Sequence, residues 1–310
     1  MHVAVIGLGL IGGSLLRALR AAGHRVTGYD ADPATRELAG AAGSIADAAA
    51  GAELVVLAVP LPVLPGVLAE LAAFDGLVTD VTSVKDPVRE LTIKSGLRRY
   101  VGGHPMAGKE TSGFAAADPA LFAGCAWVLC LEPGETALDD WLTLAALFTT
   151  LGARVVPVTA AEHDRAVAQI SHVPHLFAAA LARQLDGNPL AGALAAGSFR
   201  DGTRVAATRA ELIVAMCAGN ATAVHSVLRN LIDDLKAMDE ALANDALTPL
   251  VELGGSLRRA WPARGGEPVE MPVSVDGLLA LGRDGGWVTA VAENRVSVTT
   301  MRPETGRNGS

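Results

Sequence analysis

Cysteine, aromatic residues and positive charge are all scarce in this sequence of 310 residues. The three cysteines, Cys125, Cys130 and Cys217, are odd in number and form no CxxC pair. This pattern argues against a disulfide framework and favours reduced thiols, so we expect a cytoplasmic protein. Aromatic residues make up 4% of a chain that is 50% hydrophobic, which predicts globular cores built from Ala, Leu and Val.

The charge balance and the apolar runs exclude two classes of partner. Lys and Arg number 25 against 33 Asp and Glu, a formal net charge of −8, so the chain has no basic footprint for nucleic acid. The apolar N-terminus "MHVAVIGLGLIGG" lacks a basic region, and glycines interrupt it before the roughly 20 residues that a membrane span needs. We therefore expect neither nucleic-acid nor membrane association.

The first part of the chain alternates between strand-like and helical patterns. The strand candidates are "HVAVI" (2–6), "RVTGYD" (25–30), "ELVVLAVP" (53–60), "LVTDV" (77–81), "YVGG" (100–103), "WVLCL" (127–131) and "RVVPV" (154–158). Helical segments separate most of them, and continuous apolar runs such as "LVVLAV" are typical of parallel strands that are buried on both faces. This alternation predicts an α/β domain over residues 1–158, with a doubly wound Rossmann-type sheet.

A glycine-rich turn follows the first strand. Gly7, Gly9 and Gly12 in "GLGLIG" have the G-x-G-x-x-G spacing of a dinucleotide-binding turn, and the second strand ends at Asp30. The spacing predicts a tight turn, close approach of the backbone to a pyrophosphate, and a helix N-terminus that faces the anion. The predicted cofactor contacts are Gly7, Leu8, Gly9, Leu10, Ile11, Gly12, Asp30, Val59 and Pro60. A carboxylate at Asp30, with Asp32 nearby, favours NAD over NADP.

Beyond residue 158 the pattern becomes helical. Alanine- and leucine-rich segments cover 160–185, 189–196, 209–243 and 245–260, and several are apolar on more than one face. They predict an all-helical domain over residues 159–262 that buries surface in a homodimer. Residues 263–310 read as a C-terminal extension, with a short hairpin in "GLLALGRDGGWVTAV" (277–291) and a frayed tail in "RPETGRNGS" (302–310).

A second glycine-rich stretch, "GGHPMAGKETSGF" (102–114), combines a histidine and a glutamate with small residues. Glycine and proline disfavour a long helix here, so the stretch is predicted to be a loop. Such a loop is either a connector or part of a site.

Four stretches together resemble the prephenate and arogenate dehydrogenases of tyrosine biosynthesis. They are "GLGLIGGS" (7–14), "DVTSVK" (80–85), "GGHPMAGKETSG" (102–113) and "ISHVPH" (170–175) followed by "GSFRDGTRVA" (197–206). The resemblance extends over about residues 1–245. It implies an NAD-dependent oxidoreductase that transfers hydride from C4 of a cyclohexadienol while C1 loses CO2. The substrate would be prephenate, with arogenate as the alternative.

The resemblance also implies site residues. His104 matches the family's catalytic histidine, whose imidazole accepts the proton of the 4-hydroxyl group, and Ser83 matches the serine that hydrogen-bonds this hydroxyl. Arg204 matches an arginine that binds a substrate carboxylate, and Asp201, one helical turn earlier, is placed to orient it. His175 matches a residue near the substrate side chain, and Glu110 matches a polar position at the entrance.

Two further features limit what the resemblance implies. His163, His172 and His175 are close in sequence, but no cysteine or acid completes a set with recognisable zinc spacing, so we expect no metal. Ile213 stands where some members of the family have a tryptophan, nine residues after the arginine, which leaves the choice between pyruvyl and alanyl side chains open. The segment after residue 263 is short compared with the regulatory domain of some relatives, so we expect no such domain in it.

The sequence leaves two alternative functions open. A two-domain β-hydroxyacid dehydrogenase shares the glycine turn and a helical second domain, but it uses a lysine in the second domain, and no lysine lies between Lys109 and Lys236. A non-catalytic NAD-binding sensor needs the cofactor site but not His104, Ser83 and Arg204 together.

Overall fold

A computed structural model describes residues 1–262 and 264–304 of the chain, which divides into two compact units. Residues 1–163 and 264–304 form the first unit, and residues 164–262 form the second. All of the described strands belong to the first unit, and the second unit is helical.

The described residues form eleven strands and fourteen α-helices. The strands are β1 (His2–Ile6), β2 (Arg25–Tyr29), β3 (Leu54–Leu57), β4 (Leu77–Asp80), β5 (Tyr100–Val101), β6 (Gly103–Pro105), β7 (Ala126–Cys130), β8 (Arg154–Val158), β9 (Val269–Pro272), β10 (Trp287–Val291) and β11 (Ser297–Met301). The helices are α1 (Leu10–Ala21), α2 (Pro33–Ala39), α3 (Ile45–Ala49), α4 (Leu64–Glu70), α5 (Asp86–Ser95), α6 (Leu138–Thr150), α7 (Ala160–Val167), α8 (Val173–Ala182), α9 (Pro189–Leu194), α10 (Gly197–Thr203), α11 (Ala210–Gly219), α12 (Ala221–Ala243), α13 (Thr248–Ala260) and α14 (Val275–Arg283).

The N-terminal part of the first unit is a parallel sheet with the strand order β2-β1-β3-β4-β5. Val3 and Val5 pack on the side of α1, whereas Ala4 and Ile6 pack on the side of α3 and α4. Because both faces are covered, every residue of β1, β3 and β4 is buried, which explains their continuous apolar sequence. The predicted doubly wound Rossmann-type sheet is confirmed. Its chain order reverses between β1 and β3, and ligands bind at this point in such sheets.

A second, mixed sheet completes the first unit. Its strand order is β6-β7-β8-β10-β11-β9, in which β7 and β8 are parallel and the other neighbours are antiparallel. Trp141 of α6 and Leu278 of α14 are fully buried in the same core as the residues of the first sheet. The C-terminal strands β9, β10 and β11 therefore extend the second sheet, which β6, β7 and β8 begin.

The prediction of a hairpin within residues 277–291 is wrong. Residues 275–283 form α14, because the Ser274 hydroxyl accepts a hydrogen bond from the Gly277 N–H and the leucines of "GLLALG" face the core at helical spacing. The hairpin forms one segment later, between β10 and β11, and β9 pairs with β11. Residues 264–304 thus belong to the first unit and are not a separate extension.

The predicted frayed tail is described only in part. Pro303 forms a β-bridge with Gly265, and the Glu304 N–H donates to the Arg264 carbonyl at 2.8 Å, so these residues are ordered against the segment that opens the C-terminal region. Residues 305–310 lie outside the described residues.

The second unit contains a helix break that the sequence did not predict. The apolar run 209–243 is divided into α11 and α12, whose axes bend by 100° at Asn220. The Asn220 side chain donates to the Asp164 carbonyl at 2.6 Å and contacts the His172 ring, so it is committed to neighbouring segments. Among the described residues no single helix is long and apolar enough to cross a membrane, and only the bent α11–α12 pair reaches that length and composition.

Candidate active site

The glycine-rich turn between β1 and α1 has no room for a side chain at two of its three glycines. Gly7 has a φ of +96°, and a Cβ there would lie 2.4 Å from the Ala58 carbonyl oxygen. A Cβ at Gly12 would lie 1.9 Å from the Gly7 carbonyl oxygen. A Cβ at Gly9, in contrast, would meet nothing within 4 Å, so the backbone here faces open space that a phosphate group can occupy.

The other predicted cofactor residues near this turn differ in how far their side chains are buried. Leu8 is buried and packs into the core, whereas Leu10 and Ile11 are half-buried in the first turn of α1. Val59 is half-buried and Pro60 is exposed, just after β3 at the same edge of the sheet. The N-terminus of α1 has no side-chain cap and no acidic residue in its first turn, which leaves its N–H groups available to an anion.

Asp30 is fixed directly beside the glycine turn. Its Oδ2 accepts a hydrogen bond from the Leu8 N–H at 2.7 Å, and its Oδ1 accepts one from the Asp32 N–H at 2.9 Å. Each carboxylate oxygen can accept a further hydrogen bond, so two ribose hydroxyls can still be bound.

The surroundings of Asp30 carry a second negative charge and one arginine. Hydrogen bonds from the Thr35 hydroxyl and N–H hold the pKa of Asp32 below its usual value, so this exposed carboxylate stays ionised. Arg36 Nη1 donates to the carbonyl oxygens of Asp30 and Ala31 at 2.7 and 3.0 Å. The arginine is thus engaged with the backbone, and the carboxylates of Asp30 and Asp32 would repel a 2′-phosphate placed beside Asp30.

His104 lies on a strand, and the prediction of a loop over residues 102–114 is wrong for its first part. Residues 103–105 form β6 at the edge of the second sheet, where His104 pairs with Val128 of β7. A Cβ at Gly103 would lie 2.6 Å from the Asp80 carbonyl oxygen, so the glycine allows this strand to lie directly against the end of β4. The His104 side chain is half-buried, and its Nδ1 lies 2.9 Å from Nε2 of His163.

A buried ion pair ties the His104 strand to the loop that carries Ser83. Asp80 at the end of β4 pairs with Lys85, and their side chains are 0% and 1% exposed. Asp80 Oδ1 accepts hydrogen bonds from the Gly103 N–H at 3.1 Å and the Tyr100 hydroxyl at 2.7 Å, and Lys85 Nζ donates to the Gly103 carbonyl at 2.6 Å. Ser83 is exposed on the short loop between the two charged residues.

The remaining predicted site residue of the first unit is Glu110. It is exposed in the irregular segment after β6, next to Lys109, which forms an ion pair with Asp118 at 2.7 Å. Among the described residues no group of three or more His, Cys, Asp or Glu side chains is arranged to hold a metal ion.

In the second unit the "ISHVPH" segment forms a π-helical turn, residues Ala168–His172, followed by α8. Such turns are rare in helices and are frequent at functional sites. His175 Nδ1 donates to the Ser171 carbonyl at 2.8 Å, so its Nε2 is the nitrogen left for another partner. His172 is buried and contacts the Asn220 amide at 3.2 Å, so it supports the packing of the second unit.

Arg204 is exposed at the start of a 3-10 turn, residues Arg204–Ala207, that follows α10. Asp201 is exposed as well, and the described residues show no hydrogen bond or ion pair between it and Arg204, so its role in orienting Arg204 stays a prediction. Helix α10 ends at Thr203, and the backbone changes from an α-helix to a 3-10 turn at Arg204.

Sequence reasoning missed the two residues that hold His104 in place. Lys85 was visible in "DVTSVK" as a charged residue shortly after a buried strand, which is a signal for a paired or functional lysine. His163 was considered only as a metal ligand, since nothing local in the sequence indicates that it meets a residue 59 positions earlier.

Two family models match the chain over more than half of its length. One is described as "Prephenate dehydrogenase, nucleotide-binding domain" and matches residues 15–157. The other is described as "Prephenate dehydrogenase, dimerization domain" and matches residues 159–254.

Individual proteins give the same result. The prephenate dehydrogenase of Lactococcus lactis subsp. cremoris is 36% identical over 222 residues, which are 66% of this chain and 60% of that protein. The structure of Synechocystis arogenate dehydrogenase is 30% identical with a TM-score of 0.77, covering 84% of this chain and all of the other. The structure of Aquifex aeolicus prephenate dehydrogenase in complex with hydroxyphenyl propionate and NAD⁺ is 26% identical with a TM-score of 0.73, covering 83% and 96%.

Proposed function

This chain belongs to the prephenate dehydrogenase family, and we propose from this premise that it catalyses the NAD⁺-dependent oxidative decarboxylation of prephenate to 4-hydroxyphenylpyruvate in tyrosine biosynthesis. The observation that carries the proposal is the tie between the His104 strand and the Ser83 loop through the buried Asp80–Lys85 pair. This tie lies at the edge of the sheet where β4 ends, and the glycine turn follows β1 at the same edge.

The residues of the glycine turn fit a bound NAD⁺. The open space at Gly9 and the uncapped N-terminus of α1 suit the pyrophosphate, and Asp30 suits the adenosine ribose. When bound, NAD⁺ supplies the acceptor for the hydride that leaves C4 of the substrate. The Aquifex aeolicus prephenate dehydrogenase was solved in complex with NAD⁺, which supports the same cofactor here.

The chain's own residues then handle one proton and the substrate charges. As the hydride leaves C4, His104 Nε2 accepts the proton of the 4-hydroxyl group, and the Ser83 hydroxyl hydrogen-bonds the same oxygen. Loss of CO2 from C1 makes the ring aromatic and leaves a phenolate, which takes the proton back from His104. No net proton is released, and aromatisation makes the overall step strongly favourable.

Arg204 binds a carboxylate of the substrate in this proposal. A guanidinium donates two parallel hydrogen bonds to one carboxylate, and an acidic protein needs such a local cation for a dianionic substrate. His175 contributes through Nε2 near the substrate side chain, and Glu110 belongs to the entrance. These assignments rest on the family motifs and on the exposure of the side chains.

Arogenate is the second candidate substrate, because the Synechocystis relative is named an arogenate dehydrogenase and is covered over its whole length. Ile213 stands at the position where some members have a tryptophan near the substrate side chain, so the motif itself does not choose. Steady-state kinetics with both compounds test the preference. We expect a larger kcat/KM for prephenate, and a larger value for arogenate would reverse the assignment.

The cofactor preference is expected to depend on Asp30. Replacing Asp30 with serine removes the carboxylate that binds the ribose hydroxyls and repels a 2′-phosphate, so the ratio of kcat/KM for NAD⁺ to that for NADP⁺ should fall at least about tenfold. Glu37→Gln, which removes an exposed charge from the same helix α2, is the matched control and should leave the ratio unchanged. An unaltered ratio in the Asp30 variant would show that Asp30 does not contact the ribose.

The second unit is expected to form a homodimer. Its buried hydrophobic cluster contains only Ala168, Val173 and Val224, whereas large hydrophobic side chains are exposed on α11, α12 and α13, for example Val214, Leu242 and Leu257 at 64 to 65%. Obligate interfaces resemble a core cut in half, and the name of the matched family model, a dimerization domain, supports the same arrangement.

Light scattering measures the mass of the protein in solution and therefore tests the expected homodimer. We expect a mass about twice the 31.7 kDa of one chain at micromolar concentration. The double variant Leu253→Glu/Leu257→Glu should shift the mass toward one chain, because it places charge on the exposed face of α13. Leu38→Glu is the control, since Leu38 is equally exposed but lies on α2 of the first unit. A wild-type protein with the mass of a single chain would contradict the prediction.

A further inference from the structure

The His104 side chain contacts a second histidine within the first unit. His104 Nδ1 and His163 Nε2 are 2.9 Å apart, and the two ring planes meet at 74°. His163 is only 2% exposed, whereas His104 is half-buried. The contact is therefore a buried hydrogen bond that involves Nδ1 of His104, and Nε2 lies on the opposite side of the ring.

The backbone of His163 is held by the start of α7. Thr159 and Glu162 form a reciprocal capping pair, in which Glu162 Oε2 accepts from the Thr159 N–H at 2.9 Å and the Thr159 hydroxyl oxygen accepts from the Glu162 N–H at 3.3 Å. Arg283 donates to the other oxygen of Glu162 at 2.6 Å. Burial alone would raise the pKa of Glu162, but these hydrogen bonds lower it overall, so the cap stays ionised. His163 follows directly, and its N–H donates to the Thr159 carbonyl at 2.9 Å.

The backbone of His104 is held equally firmly from the other side. Gly103 donates its N–H to Asp80 and accepts from Lys85 at its carbonyl, and His104 itself pairs with Val128 of β7. Because both backbones are fixed, the ring-to-ring hydrogen bond helps to set the orientation of the His104 imidazole.

The proposed reaction also determines which ring carries the shared proton. A neutral imidazole has one N–H and one acceptor nitrogen. If Nε2 of His104 is to accept the hydroxyl proton of the substrate, the proton of the neutral ring must lie on Nδ1. Nδ1 is then the donor and His163 Nε2 is the acceptor. The opposite arrangement places a proton on Nε2 of His104, which then cannot act as a base.

We propose that His163 is a positioning residue that selects the Nδ1–H tautomer of His104 and strengthens its basicity at Nε2. When His104 takes up the substrate proton, its Nδ1–H becomes a charge-assisted donor to His163, so the hydrogen bond is stronger in the protonated state than in the neutral one. The proposal rests on the proposed role of His104 as the base, but the tautomer of the free enzyme can be measured without any turnover.

Two substitutions at His163 separate positioning from a merely structural role. His163→Leu removes the acceptor and should lower kcat about 10- to 100-fold, as is usual for the loss of an orienting partner, with little change in KM. His163→Gln keeps an acceptor oxygen near the position of Nε2 and should retain kcat within a few-fold of the wild-type value. His24→Leu, at the opposite end of β2 from the glycine turn, is a histidine control that should leave kcat unchanged.

Nitrogen-15 NMR of histidine-labelled protein provides the second readout. The His104 signals are assigned by their absence in His104→Asn. When the His104 ring is neutral, the wild-type enzyme should show a protonated Nδ1 and an unprotonated Nε2 of His104. The His163→Leu variant should show a mixture of both tautomers. The Nε2–H tautomer in the wild-type enzyme would overturn the proposal. If the wild-type enzyme oxidises prephenate, an unchanged kcat in a folded His163→Leu variant would also overturn the proposal. A protein that has this tautomer but does not oxidise prephenate would instead contradict the proposed function alone.

Discussion

Replacing His104 with asparagine is expected to lower kcat by about 10²- to 10⁴-fold, the usual contribution of general acid–base catalysis, with a smaller change in KM. The reason is that an amide cannot accept the 4-hydroxyl proton as the hydride leaves. The proton transfer is an interaction of the transition state, so its loss appears in kcat and not in ground-state binding. Steady-state kinetics with prephenate at saturating NAD⁺ measure both constants.

The His104 variant needs two controls. Its dissociation constant for NAD⁺ should match that of the wild-type protein, because His104 lies on β6 and not in the glycine turn. His24→Asn makes the same chemical change at a distant histidine and should retain full turnover. If His104→Asn turns over prephenate and arogenate at near wild-type rates, His104 is not the base.

Replacing Arg204 with alanine is expected to act on substrate binding instead. The guanidinium should hold a carboxylate that is charged in the ground state and the transition state alike, so the loss appears mainly in KM. If bound substrate covers the exposed guanidinium, truncating one partner of the resulting desolvated charge pair costs about 2 to 5 kcal/mol, which corresponds to an increase in KM of roughly 30-fold or more. The measurement is KM for prephenate at saturating NAD⁺.

Two further variants sharpen this test. Arg204→Lys keeps the charge but loses the two parallel hydrogen bonds, so its KM should lie between those of the wild type and the alanine variant. Arg183→Ala removes an arginine elsewhere in the second unit and should leave KM unchanged. A fall in kcat without a rise in KM for Arg204→Ala would mean that Arg204 does not bind the ground-state substrate.

The first sheet and the glycine turn could be predicted because their signals are local. The apolar runs of β1, β3 and β4 come from burial on both faces, and the glycine spacing reflects contacts within one strand-turn-helix unit. Asp30 was found for the same reason, since it ends the neighbouring strand and contacts the turn through the Leu8 N–H.

The surroundings of His104 could not be predicted because they depend on long-range pairing. Nothing in "GGHP" shows that the chain pairs with β7, which lies more than 20 residues later, and glycine and proline argue locally for a loop. The Asp80–Gly103 and His104–His163 contacts likewise join residues 23 and 59 positions apart. The family motifs predicted His104 and Ser83 as site residues, and only the structure shows which contacts surround them.

The C-terminal region shows the same limit. "GLLALG" is compatible with a strand or a helix by composition, and the Ser274 cap and the buried leucines decide for α14. The later strands were missed because β10 and β11 pair with each other and β10 pairs with β8, which lies more than 100 residues earlier in the chain.

The most direct test of the proposed function is the formation of NADH by the purified wild-type protein with NAD⁺ and prephenate. Absorbance at the NADH band should rise, with one 4-hydroxyphenylpyruvate and one CO2 formed for each NADH. The same mixture with His104→Asn should show a rise that is slower by the factor expected above. If the wild-type protein binds NAD⁺ but forms no NADH from prephenate or from arogenate, the proposed dehydrogenase function is wrong.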